Sequence, residues 1–167
     1  MSLLSFIKDA GEKLFSKGNA QAAMAQAQAN PADVAKSKAA NDAAGDAILG
    51  YINAQNLKAT GLTVTFDGAS STATVYGIAA DQATKEKIVL SAGNVHGVEK
   101  VNDQMSVDQS APEAKYYTVV SGDTLSKIAK QQYGDANKYP AIFEANKPML
   151  KSPDLIYPGQ MLRIPPL

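Results

Sequence analysis

The sequence predicts an α+β chain made of two small units, and three observations carry that expectation. Between residues 44 and 107, two segments with apolar residues every three to four positions flank a stretch of β-branched residues alternating with polar ones. From Asp108 to Lys115 the chain then loses all apolar period and contains a proline, which disfavours continuing a strand. After that break the pattern restarts with a second, shorter set of elements, and 167 residues suffice for two small domains.

The elements follow in order. Leu3, Ile7, Ala10 and Leu14 recur at alternating spacings of four and three, with Ser2 as a candidate N-cap, so residues 1–16 are expected to hold an N-terminal amphipathic helix that Gly11 breaks or ends. Residues 17–40 are dominated by Ala, Gln, Asn and Lys and offer few large apolar side chains, which reads as a linker or an exposed helix. Asn30-Pro31 offers a helix start, because Asn accepts a backbone N–H bond and Pro at the first helical position loses nothing. A helix from Pro31 towards Gln55 would carry the apolar stripe Ile48, Leu49 and Ile52.

Leu62, Val64 and Phe66 alternate with threonines, Asp67-Gly68 signals a turn, and Thr72 to Ile78 is again rich in β-branched residues, which predicts a β-hairpin. Asp81 can cap a helix that buries Ile88, Val89 and Ala92 and stops at Gly93-Asn94, and Met105 and Val107 alternate on a last strand. Residues 41–108 therefore read helix, strand, strand, helix, strand, with a three-stranded sheet carrying helices on one face. A linker at 109–115 separates them from residues 116–167. There Tyr117 and Val119 alternate in a strand, Asp123 can cap a helix bearing Leu125, Ile128 and Ala129, and Gly134 ends it. A short helix from Tyr139 to Ala145 stops at Asn146 and Pro148, and Tyr157-Pro158-Gly159-Gln160 has the central residues of a type II turn leading into a strand at Leu162 and Ile164. The second unit thus reads strand, helix, helix, strand.

Composition narrows function. Sixteen Lys plus Arg balance sixteen Asp plus Glu, so no strong field draws the chain to nucleic acid or an anionic membrane surface. Without cysteine there are neither disulfides nor thiolate metal sites. Met1 to Ala10 lacks a basic n-region and is interrupted by Lys8 and Asp9, which is unlike a signal peptide, and no window approaches the roughly 20 apolar residues that span a bilayer. A cytoplasmic monomer without membrane insertion is the expectation. His96 is the sole histidine, no serine sits in a nucleophile elbow, and no phosphate-binding loop, Rossmann or EF-hand pattern appears, so no enzyme is expected. His96 is expected as an exposed loop residue, and Glu86, between Lys85 and Lys87, on a solvated helix face.

The run Tyr117-Thr118-Val119-Val120-Ser121-Gly122-Asp123-Thr124-Leu125-Ser126-Lys127-Ile128-Ala129, followed by Tyr133-Gly134, Ile142-Phe143, Ala145-Asn146 and residues 157–165, resembles a LysM domain. From about Ala43 to Asp108, Asp67-Gly68, Val75-Tyr76-Gly77 and Gly97-Val98-Glu99-Lys100-Val101 resemble a BON domain. With Phe6-Ile7-Lys8-Asp9-Ala10-Gly11-Glu12-Lys13-Leu14-Phe15 in front, the combination resembles the potassium-binding protein family, also called the YgaU or Kbp family. The Ala- and Gln-rich stretch near residues 18–40 is longer than that family leads one to expect.

A large monovalent cation is suited to neutral carbonyl oxygens that replace its hydration shell, and such oxygens occur where helices end. The resemblance implies that the carbonyls of Ile7, Ala10 and Glu12, with those of Gly93, Val95 and Val98, coordinate K⁺ as the bound ion, so that ion binding selects a compact state. It further implies that Gly122, Asp123, Thr124 and Leu125, opposite Asn146, Lys147, Pro148 and Met149, form a site for N-acetylglucosamine-containing glycan. Two classes of function stay open on sequence: a cytoplasmic K⁺ sensor or buffer, in which the LysM module can dock on the BON domain, and a peptidoglycan-binding adaptor.

Overall fold

The computed structural model describes residues 2–5 and 34–167. The N-terminal unit is a four-stranded sheet in the order β1-β4-β3-β2. Its elements are β1 (Ser2–Ser5), α1 (Val34–Ala54), β2 (Thr60–Asp67), β3 (Thr72–Asp81), α2 (Gln82–Gly93) and β4 (Lys100–Gln109). Strands β2 and β3 form the expected antiparallel hairpin, and β4 returns parallel to β3. A parallel return requires a crossover, which α2 supplies.

Register explains which face is covered. Val64, Val75 and Asp103 stand in one row across the sheet, and Phe66, Ala73 and Val101 in the next, so the buried residues of three strands share one side. Ile48 and Ile52 of α1 and Ile88, Val89 and Ala92 of α2 are buried in the same cluster. The other side is more open, with Tyr76 and Ile78 exposed. Helix α1 approaches β2 so closely that a Cβ on Gly45 would stand 2.6 Å from the Val64 carbonyl oxygen.

The start of the chain corrects an expectation. Ser2–Ser5 is a strand, antiparallel to β4, where a helix was predicted. The burial alternates with period two, Leu3 and Ser5 exposed and Leu4 half-buried, and pairing with β4 satisfies backbone groups that a helix N-terminus would leave open. Among the described residues the sheet therefore has four strands rather than three. The rest of the predicted N-terminal helix and the stretch to residue 33 lie outside the described residues.

Five residues, Ser110 to Ala114, join β4 to the C-terminal unit. That unit comprises β5 (Lys115–Thr118), α3 (Leu125–Tyr133), a single 3₁₀ turn (Ala136–Lys138), α4 (Tyr139–Ala145) and β6 (Met161–Ile164), with β5 and β6 antiparallel. Gly134 ends α3 in the left-handed conformation at φ 77°, and Gly159 at φ 83° closes the Tyr157–Gln160 turn, both as expected. The cap of α3 differs from expectation. Thr124 is the N-cap, accepting from the Lys127 N–H, whereas Asp123 accepts from the Val120 N–H and the Tyr117 hydroxyl and so closes the turn before it. One cluster of buried residues runs through both units, from Ile48 and Val75 to Leu125, Ile142 and Leu162.

Candidate functional site

The segment between α2 and β4 is a tight, buried turn. Asp81 caps the start of α2, its carboxylate accepting from the Thr84 N–H at 2.7 Å, and Asn94 caps the end. Beyond it, the Val95 N–H donates to the Ala92 carbonyl and the Val98 N–H to the Val95 carbonyl. Gly97, at φ 91°, takes the left-handed conformation that reverses the chain there. The Glu99 and Lys100 N–H groups both donate to the Ser71 carbonyl, which ties this turn to the β2–β3 turn. Gly93, Val95 and Val98 are all buried, and His96 is half-buried where exposure was expected.

Three of the six carbonyl positions named from sequence, Gly93, Val95 and Val98, therefore share one turn. The other three, Ile7, Ala10 and Glu12, lie outside the described residues. Ser5 pairs with Lys100, two residues after Val98, and β1 runs antiparallel to β4, so the chain leaves β1 at the end of β4 that adjoins this turn.

The side of α2 turned from the sheet is not solvated. Glu86 is 3% exposed, a correction to the solvated face expected from its lysine neighbours. Its carboxylate meets the Arg163 guanidinium of β6 at 2.5 Å and accepts from Gln82 Nε2 and from the backbone N–H of Ala114. Beside it, Lys85 pairs with Asp103 at 3.0 Å and donates to the Met105 carbonyl. Burial, with the Glu86 carboxylate nearby, pushes the Tyr116 phenol above its usual range. Tyr51 of α1 and Tyr157 of the C-terminal unit are also raised by burial, and ionising Tyr157 would further oppose ionisation of Tyr51. The N-terminal unit thus packs directly on the C-terminal one.

Two asparagines line the free edge of β6, and one of them, Asn94, crosses from the N-terminal unit. Alternate residues of a strand direct their peptide groups to the same edge, and on β6 the edge turned from β5 belongs to Met161 and Arg163. Asn94 Oδ1 accepts from the Met161 N–H at 3.2 Å and its Nδ2 donates to the Met161 carbonyl at 3.1 Å. Asn146, the C-cap of α4, does the same for Arg163 at 2.8 Å in both directions. Two side-chain amides from different units take the place of a neighbouring strand.

On the C-terminal unit, a groove of about 350 Å³ is lined by Asp123, Thr124, Leu125 and Ser126 against Tyr139, Pro153, Asp154 and Ile156. Gly122, at φ 85°, makes the turn that precedes its first wall. The opposite wall differs from the one named from sequence. Asn146 and Met149 are buried, and Lys147 and Pro148 are exposed without lining this groove, Lys147 lying 4.6 Å from the Phe143 ring centre and paired with Glu144.

The family model for the BON domain matches residues 39–109, and the one for the LysM domain matches residues 117–165. Over 169 aligned positions, covering 99% of this chain and 99% of the relative, the chain is 44% identical to the potassium binding protein Kbp of Escherichia coli O6:H1 (strain CFT073). The chain belongs to the Kbp family. Shorter likenesses reach an uncharacterized protein of Deinococcus radiodurans, 55% identical over 29% of this chain and 19% of that protein. An esterase of Mycobacterium tuberculosis is 47% identical over 32% of this chain and 11% of the esterase.

For this Kbp-family chain, the residues that sequence reasoning missed are Glu86, Asn94 and Arg163. Gln82, Glu86 and Gly93 are buried together with Ile88 to Ala92, so α2 is covered on two sides, by the BON sheet and by the LysM domain. A helix buried all round loses the apolar-polar contrast that marks an inward face. The polar residues on the second side then read as surface.

Proposed function

We propose that this chain is a non-enzymatic, cytoplasmic K⁺ sensor or buffer that becomes more compact when it binds the ion through main-chain carbonyls. The ligands in this reading are the carbonyls of Ile7, Ala10 and Glu12 together with those of Gly93, Val95 and Val98. The relative's name as a potassium binding protein and the 99% coverage of both chains support it. The observation that carries it is the register of β1, whose last residue, Ser5, pairs with Lys100 two residues beyond the turn that holds Gly93, Val95 and Val98. The donor chemistry fits a weakly hydrated cation. The negative end of α2 points at the same turn.

The test is a titration of the full chain with KCl and, separately, NaCl, followed by small-angle scattering and NMR. Compaction with KCl at concentrations where NaCl has no effect is expected, and identical responses to the two salts would overturn the reading. Glu12→Gln should leave affinity nearly unchanged if only its carbonyl acts. A bulky side chain in the buried turn, Gly93→Val, should weaken binding severely.

A second reading, a glycan-binding adaptor, is favoured by the LysM groove between Asp123–Ser126 and Pro153–Ile156. Retention on insoluble peptidoglycan, lost with Ile156→Asp, would support it.

A further inference from the structure

Asn94 stands between Gly93 and Val95, the two central carbonyl positions of the candidate ion-binding turn, yet its side chain belongs to the other domain's strand. The residue is fully buried, and its Nδ2 donates to the Leu90 and Met161 carbonyls, both at 3.1 Å, with Met149 Sδ also within reach at 3.2 Å. Its oxygen accepts from the Met161 N–H, and its own backbone N–H donates to Leu90. The amide is thus fixed at once to the last turn of α2 and to β6. No shorter, longer or singly functional side chain reproduces this. Alanine leaves two peptide groups of Met161 without partners, and aspartate sets an acceptor against the Met161 carbonyl.

We propose that Asn94 is a positioning residue that couples the ion-binding turn to LysM docking, so that the docked LysM domain raises K⁺ affinity and bound K⁺ favours docking. The inference rests on the potassium reading above and specifies how that site is regulated. Coupling of this kind is reciprocal: whatever factor docking adds to ion affinity, the ion adds to docking. The Glu86–Arg163 pair provides a second, independent hold on the same docked state, since it touches no residue of the turn.

Ion affinity and interdomain compaction are to be measured on the full-length wild type, Asn94→Ala, Arg163→Met and the double variant, by KCl titration against a NaCl control. Asn94→Ala is expected to weaken K⁺ binding by about tenfold, within the range usual for coupled sites, and to reduce compaction at saturating K⁺. Arg163→Met should weaken K⁺ binding although it lies outside the turn. The double variant should lose less than the product of the two single effects, because both act through one docked state. A purely local role for Asn94 would leave its effect undiminished in the Arg163→Met background, which overturns the proposal. Wild-type affinity in Asn94→Ala overturns it as well. Should Asn94→Ala not fold, unchanged K⁺ affinity in Arg163→Met overturns it alone. A wild type that treats KCl and NaCl alike fails the potassium reading itself, and that failure is seen before any substitution is made.

Discussion

Arg163 on the closing strand of the LysM domain reaches Glu86 on the second helix of the BON domain, 2.5 Å from Nε to Oε2, with both side chains withdrawn from water. The desolvation cost of such a pair is offset only while both partners are present, and Glu86 additionally holds Gln82 and the linker N–H of Ala114.

Arg163→Met should therefore destabilise the chain by about 3–5 kcal/mol, because it strands a buried carboxylate. Replacing Glu86 as well, with Glu86→Leu, should recover much of the loss. Urea unfolding of the single and double variants measures both, and a double variant no more stable than Arg163→Met would count against a compensated pair.

Alkali should open the domain interface before it unfolds either domain. The phenols of Tyr51, Tyr116 and Tyr157 are all raised by burial, so the folded state holds their protons more tightly than the unfolded chain does. Their contribution is fully present below the ordinary tyrosine value of about 10 and is lost as pH rises above it. Tyrosinate absorbance should lag behind free tyrosine and then rise together with the expansion seen by scattering. Tyr157→Phe should move that transition to higher pH.

Gly45→Ala should cost stability despite the gain in helix propensity. The added methyl would lie 2.6 Å from the Val64 carbonyl oxygen and 3.3 Å from the Thr65 Cα, both backbone atoms, so α1 or β2 must move. Overpacking of this kind costs about 1–3 kcal/mol. Gly50→Ala, where nothing lies within 4 Å, serves as the comparison and should be neutral or stabilising.

Thr124→Ala removes the N-cap of α3 and should destabilise the LysM domain by about 1 kcal/mol. Asp123→Ala instead releases the Val120 N–H and the Tyr117 hydroxyl, loosening the turn at one wall of the groove. If the groove holds glycan, Asp123→Ala should impair retention on peptidoglycan more than Thr124→Ala does, at equal stability.

Local chemistry made most of the fold legible. The β2–β3 hairpin, the Asp81 cap, the Gly134 stop and the Pro158-Gly159 turn each depend on residues within a few positions of one another, and all stand where the pattern put them. What escaped depends on distant partners. Ser2–Ser5 is a strand only because the edge of β4 is there to receive it, and its four residues fit the start of a helix equally well. Glu86 is buried only because a second domain covers its side of α2, and the flanking lysines gave the opposite indication. Gly93, Val95 and Val98 came from family resemblance rather than from side-chain chemistry, since a main-chain oxygen leaves no mark in residue type. Asn94 was read only as a helix stop, because a cap and a clamp require the same residue.

The five-residue connection between Gln109 and Lys115, itself held at Ala114, governs how strong the docking contact must be. So short a tether keeps the LysM domain at a local concentration on the order of millimolar around its own BON partner. Association then needs little intrinsic affinity. The Asn94–Met161 amide contact, the Glu86–Arg163 ion pair and the apolar cluster shared by the two domains then hold the docked arrangement.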